Sequence, residues 1–221
     1  MSAISIETNI DVGFEKIRHL LSNIKILGMT MDMILLVSMI GICTFHILTG
    51  ESSQNLIFQY DKFISGEIYR LFTHPFVHLS WYQFLLDASA FMLLYTGLEE
   101  KRKFRKSMIV GICGICGLAV PLLFAPAIYS QGLCGLSGIA HGLMVFSALE
   151  LMQEKANFKA GVICLAVVSV KALYEAATGD VLFSFLQFGL CGIPIDICHA
   201  GGVMGGILSY FILHLIERFK F

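Results

Sequence analysis

Residues 107–149 read SMIVGICGICGLAVPLLFAPAIYSQGLCGLSGIAHGLMVFSAL, 43 residues without a single Asp, Glu, Lys or Arg. An α-helix needs about 20 apolar residues to cross about 30 Å of hydrocarbon. The run is too long for one crossing and the right length for two. Its break is marked from within: Pro121 and Pro126 withdraw backbone donors, and Ser130-Gln131-Gly132 follows as a turn. Two apolar helices, roughly 107–125 and 136–152, are therefore expected.

The same criterion applied outward gives four more spans, roughly 29–48, 78–98, 158–175 and 199–217. In the whole chain 57% of residues are hydrophobic and only 14% charged, with mean hydropathy +0.78. Soluble domains carry about 25% charged residues, so the expected class is an all-α integral membrane protein. It is expected to form one six-helix membrane domain over 29–217, with a long outer loop at 49–77. The formal net charge of −1 gives no electrostatic basis for nucleic-acid binding.

Residues 1–28 mix Glu7, Asp11, Glu15, Lys16, Arg18 and Lys25 with apolar positions, which does not fit a cleavable signal peptide. Phe14, Ile17, Leu20, Leu21, Ile24 and Leu27 share one helical face there. That pattern fits an amphipathic helix on the inner membrane surface as well as it fits a frayed tail. Orientation follows from Lys and Arg. Twelve of the fifteen fall in 1–28, 99–106, 153–159 and the C-terminal tail, all on one side of a six-span layout. Both termini are then cytoplasmic. Lys171, near the end of the fifth span, is expected to snorkel.

Cysteine contributes little to the chemistry. Cys113 and Cys116 have CxxC spacing without a second ligand pair, so no metal site is expected. Cys134, Cys191 and Cys198 fall near loops, where a disulfide could form between an unspecified pair.

Three constellations remain. The first is Gly135-Leu136-Ser137-Gly138. A serine there is either a packing residue among small neighbours or a nucleophile whose glycine setting admits a substrate carbonyl. In the second case the amides of a helix N-terminus lie beside it. The second constellation is His199, with Gly202 and Gly206 at i+3 and i+7. The glycines allow close approach of a neighbouring helix, and a neutral imidazole can take a serine proton and return it to a leaving amine. The third is Gln83 and Asp87, four residues apart on one helix face. They are either polar glue between helices or donors to an oxyanion, Asp87 only when protonated. A polar cavity open to the outer face, with His74, His78, Gln83 and Asp87 in its walls, is expected to bring water to Ser137.

Together these residues resemble the rhomboid family of intramembrane serine proteases over about 66–216. Arg70, His74, His78, Gly135, Ser137, Gly138, His199, Gly202 and Gly206 match that family's pattern in order and spacing, and Gly97-Leu98-Glu99 resembles the end of its second helix. The resemblance implies a six-helix rhomboid-like bundle with Ser137 as nucleophile and His199 as general base. It also implies oxyanion or substrate contacts from Gln83, Asp87, Gly135 and His78, and no cofactor. His141 takes the place of a tyrosine that stacks on the histidine in many relatives. The family's His-x-x-x-Asn is Gln83-x-x-x-Asp87 here.

The wording around Ser137, with Asp87, is most similar to the rhombosortase branch. That branch implies a bacterial inner-membrane enzyme acting on GlyGly-CTERM sorting tails of membrane proteins. The alternative is a catalytically impaired rhomboid-like protein that binds membrane clients. A small transporter is disfavoured by the lack of an inverted repeat.

Overall fold

A computed structural model of the chain describes residues 31–50, 53–100, 102–182 and 195–219. The amphipathic helix expected within 1–28, and Cys191, lie outside the described residues. The chain divides into two compact units, Met1–Gly41 and Ile42–Phe221. In the first, the described residues form the start of helix α1 (Met31–Thr44).

The second unit is built on α2 (Trp81–Gly97), α3 (Lys103–Phe124), α4 (Ser137–Leu151), α5 (Phe158–Thr178) and α6 (Ile197–Arg218). Among the described residues there is no strand, only an isolated bridge between Phe58 and Leu133. Every long helix lies within a few residues of a span expected from hydropathy. The segment 32–49 and helices α3, α5 and α6 are long and apolar enough to cross a membrane. Helices α2 and α4 are shorter, with 17 and 15 residues.

In keeping with the expected span to about 125, α3 continues past Pro121 to Phe124 before Ala125 caps it. The proline sits in the final turn and withholds the one bond its own N–H would have given the Gly117 carbonyl, four residues back.

Helix α6 packs against both α3 and α4, and glycine makes both contacts possible. A Cβ on Gly202 would run into the Gly138 carbonyl, and one on Gly206 into the Gly142 carbonyl. On the adjacent face, a Cβ on Gly201 would meet the Cys116 carbonyl. One on Gly205 would lie 2.7 Å from Cys113 Cα. Four glycines thus let one helix wedge between two others at near backbone contact, the small-residue packing of membrane helices. Leu85, Leu93, Ile115, Leu123, Ile163, Val167 and Phe211 point outward and are exposed, as a lipid-facing surface requires.

The loop between α1 and α2 is folded around a buried cation. Arg70 is 3% exposed. It donates to the carbonyls of Gln54 (2.6 Å) and Ile57 (2.7 Å) and pairs with Glu67 at 2.6 Å. Thr73 adds a bond to the Leu56 carbonyl at 2.8 Å. The loop then docks on the segment leading to α4. Phe58 and Leu133 exchange two backbone bonds, and the Gly135 amide donates to the His74 carbonyl at 3.1 Å. Gly132 has φ +76, and a Cβ there would strike the Phe58 carbonyl, so only glycine fits.

Burial pushes the His74 imidazole down to about 4. Below pH 6.5 the unfolded chain takes up a proton that native His74 refuses until about pH 4. Neutral His74 therefore stabilises fully above pH 6.5, and its contribution is lost as pH falls through that window. Melting in detergent should show this loss, and His74→Asn should flatten it. An equal loss in the variant would contradict the assignment.

Candidate active site

The site begins where the chain turns into α4. Gly135 has φ +103, a conformation that side chains rarely adopt. A Cβ there would lie 2.8 Å from Gln83 Nε2 and 2.9 Å from Asp87 Oδ2. Two polar groups of α2 therefore converge over a backbone without a side chain. Leu136 is the N-cap of α4, and Ser137 is its first residue. The backbone amides of Leu136 and Ser137 face the Asp87 carboxyl.

Gln83 is held in place by its own helix start. Ser80 accepts from the Gln83 amide at 3.2 Å, and Gln83 Oε1 accepts from Leu79 N–H at 2.8 Å. This is close to a capping box. With its oxygen used in the cap, the Gln83 NH₂ is left facing Gly135.

Behind Asp87 stands His78, which is fully buried. The Thr44 hydroxyl donates to the Phe76 carbonyl at 2.9 Å, so its oxygen accepts at His78 Nδ1, 3.0 Å away. Nδ1 then carries the proton and Nε2 is bare. Nε2 lies 3.9 Å from Asp87 Oδ2, and neither atom has a hydrogen-bond partner among the described residues. A lone pair facing an anionic oxygen is repulsive, and a neutral carboxyl, free to turn its proton toward Gly135, removes the conflict.

Ser137, His199, Gln83, Asp87, His141 and Lys171 all wall one cavity of about 680 Å³, with Leu79, Tyr82, Leu86 and Ile195 among its apolar lining. His74 and His78 do not line it. The expectation that they would is corrected: both are buried beneath the cavity, His74 under the loop and His78 behind Asp87.

The direct contact expected between Ser137 and His199 is not made. The polar neighbour of Ser137 Oγ is Cys198 Sγ at 4.0 Å, and the Cys198 thiol also neighbours the His199 ring. Catalytic hydrogen bonds are often long before substrate binds.

His199 is held from its other side. Its Nδ1 lies 2.7 Å from Glu175 Oε2. Its ring stacks on His141, with centroids 4.1 Å apart and planes 13° from parallel. The stacking expected of His141 is thus present. His141 Nδ1 donates to the Ser137 carbonyl at 2.7 Å, which leaves Nε2 to accept from Lys171 Nζ at 3.1 Å. Lys171 also reaches both oxygens of Glu175, at 2.7 and 2.8 Å. The lysine therefore turns inward to a buried acid rather than snorkelling, because the acid offers it a stronger partner than the interface.

Asp196 is also buried: it is 6% exposed and lies in the cavity wall. His141, Glu175 and His199 bring their ligand atoms within 4.8 Å of one another, a spacing that could hold a metal ion. The Lys171 ammonium already bonds two of these three groups, so a cation stands there as part of the chain.

Glu175, Lys171 and Cys198 were not among the residues expected at the site. Lys171 and Glu175 carried one usable signal: opposite charges at i, i+4 in an apolar helix are expensive unless they pair or work.

A family model described as Rhomboid domain matches residues 65–216, more than half of the chain. No curated protein matches the chain.

Proposed function

Because the chain belongs to the rhomboid family of intramembrane proteases, we propose that it is a serine endopeptidase in which Ser137 attacks and His199 serves as general base. The observation that carries this reading is the shared cavity. It joins a serine at a helix N-terminus, a stacked and anchored histidine, and two polar side chains poised over Gly135.

In this mechanism His199 Nε2 takes the Ser137 proton as Oγ bonds to the scissile carbonyl carbon. The oxyanion receives donors from the Ser137 amide and Gln83 Nε2, and from Asp87 in its protonated form. The proton on His199 passes to the leaving nitrogen as the C–N bond breaks. Water, activated by the same imidazole, then releases the acyl group.

The substrate we propose is a single-pass membrane segment cut near the outer membrane face, of the GlyGly-CTERM type. A helix must unwind before its backbone can enter the site. Glycine lowers that cost by about 1 kcal/mol per residue relative to alanine, so a glycine pair suits a site that must take in extended backbone. The proposed layout is one membrane domain over 29–217 with six spans, an outer loop at 49–77 and both termini cytoplasmic in a bacterial inner membrane. Ser137 and His199 then open their helices from the outer side.

A client-binding protein without catalysis is the second reading. The 4.0 Å Ser137–Cys198 approach, in place of a Ser137–His199 bond, favours it. Fluorophosphonate labelling of the purified chain, paired with cleavage of a tagged GlyGly-CTERM substrate, decides between them. The protease labels at Ser137 and cleaves. A folded protein that does neither is a binder.

Asp87 has its own outcome. Asn keeps a neutral donor at the same reach, so Asp87→Asn should retain cleavage within a few-fold of wild type. Asp87→Ala should lower kcat by about a hundredfold, the usual loss for one oxyanion donor. Equal losses in both variants would show that the acid itself is required.

A further inference from the structure

Three groups make four close contacts with the fully buried Glu175 carboxyl. Lys171 Nζ lies 2.7 and 2.8 Å from its two oxygens, the Leu182 amide 2.9 Å from Oε1, and His199 Nδ1 2.7 Å from Oε2. Lys171 and the Leu182 amide supply three of these bonds, and an ammonium held against both oxygens favours the ionised acid, which accepts at about four lone-pair sites. Glu175 is then an acceptor only. His199 Nδ1 must donate to it, and His199 Nε2 must be bare.

The neighbouring bonds agree. The Ser137 carbonyl can only accept, so His141 Nδ1 donates to it and His141 Nε2 accepts from Lys171. The three protons of the lysine face three acceptors. His141 lies flat on His199 and leaves its ring little freedom to turn.

We infer that Glu175 is a positioning residue that turns the Ser137–His199 pair into a serine–histidine–glutamate triad, with Lys171 fixing both Glu175 and His141. The inference rests on the protease reading above. Glu175 touches neither substrate nor serine. It selects the tautomer whose free nitrogen can accept the Ser137 proton, and it faces the imidazolium that forms when Oγ–H breaks and Nε2–H is made. The glutamate itself exchanges no proton.

Glu175→Gln tests this sharply because Lys171 remains. The lysine draws the amide oxygen to itself, so the amide NH₂ turns to His199 Nδ1. A donor there demands a bare Nδ1, which moves the ring proton to Nε2, the wrong tautomer. The expected result is a kcat lower by about ten-thousandfold with KM unchanged, and partial recovery in Glu175→Asp. A structural ion pair alone would instead change stability and leave kcat of the folded fraction intact.

Nitrogen-15 histidine spectra of the full wild-type chain in detergent provide the second measurement, with the His199 signals identified by their loss in His199→Asn. A protonated Nδ1 and bare Nε2 are expected, and a proton on Nε2 overturns the triad even if Glu175→Gln fails to accumulate. Wild-type kcat in Glu175→Gln, with Ser137 still labelled by fluorophosphonate, overturns the triad and leaves the protease reading standing. Absence of labelling and cleavage in the wild type removes the protease reading itself.

Discussion

Ser137→Ala and His199→Ala should each reduce cleavage by a factor on the order of ten thousand or more, and the double variant should be no slower than either single one. Both residues act in one proton transfer. Without the hydroxyl the imidazole has nothing to activate, and without the imidazole the hydroxyl is a poor nucleophile at neutral pH. Losses that multiplied would mean two independent contributions and would contradict the shared step. What remains in the variants should come from the amides of α4 and from Gln83, which are untouched. Single-turnover cleavage of a tagged substrate in proteoliposomes measures this directly. Undiminished cleavage by either single variant would end the proposed assignment.

Gly202→Val should be nearly as damaging from a residue that meets no substrate. A Cβ on Gly202 would collide with the Gly138 carbonyl, one residue from the serine. Backbone cannot yield as a side-chain tip can, so α6 must draw back from α4 and carry His199 with it. A displacement of about 1 Å can cost about a hundredfold in rate, and valine needs more than that. Overpacking of this kind also destabilises by about 1–3 kcal/mol or more. Activity should vanish while the protein still inserts in the membrane, with a lower melting temperature. Gly111→Val is the control, since nothing lies within 4 Å of a Cβ there. Full activity in Gly202→Val would refute the packing account.

Hydropathy was enough to locate the helices, because a bilayer demands long apolar runs and this chain has little else. The local motif at Ser137 and the spacing of Gly202 and Gly206 were equally legible, since a helix repeats on a known period. Gly201 and Gly205 were readable in principle, but they serve α3, and a sequence does not say that one helix is wedged between two. The third side chain at His199 was harder. Glu175 lies on a different helix, 24 residues upstream of His199, and only the packing of α5 against α4 and α6 brings it there. Lys171 was visible as a charge at the wrong depth, but its inward turn depends on a partner that periodicity alone does not supply. His78 shows the reverse case. Its place in the motif implied contact with substrate, whereas the fold sets it behind Asp87, where it bears on protonation.

Helix α4 has 15 residues, a length of about 22 Å where the hydrocarbon is about 30 Å thick. If its inner end meets the cytoplasmic interface, Ser137 stands about 8 Å below the outer one, the rise of roughly five helical residues. The enzyme then works as a depth gauge. It would select a peptide bond by its distance from the lipid surface as well as by its side chains. The same substrate in a thinner bilayer should be cut closer to the outer end of its membrane helix, and in a thicker one further in.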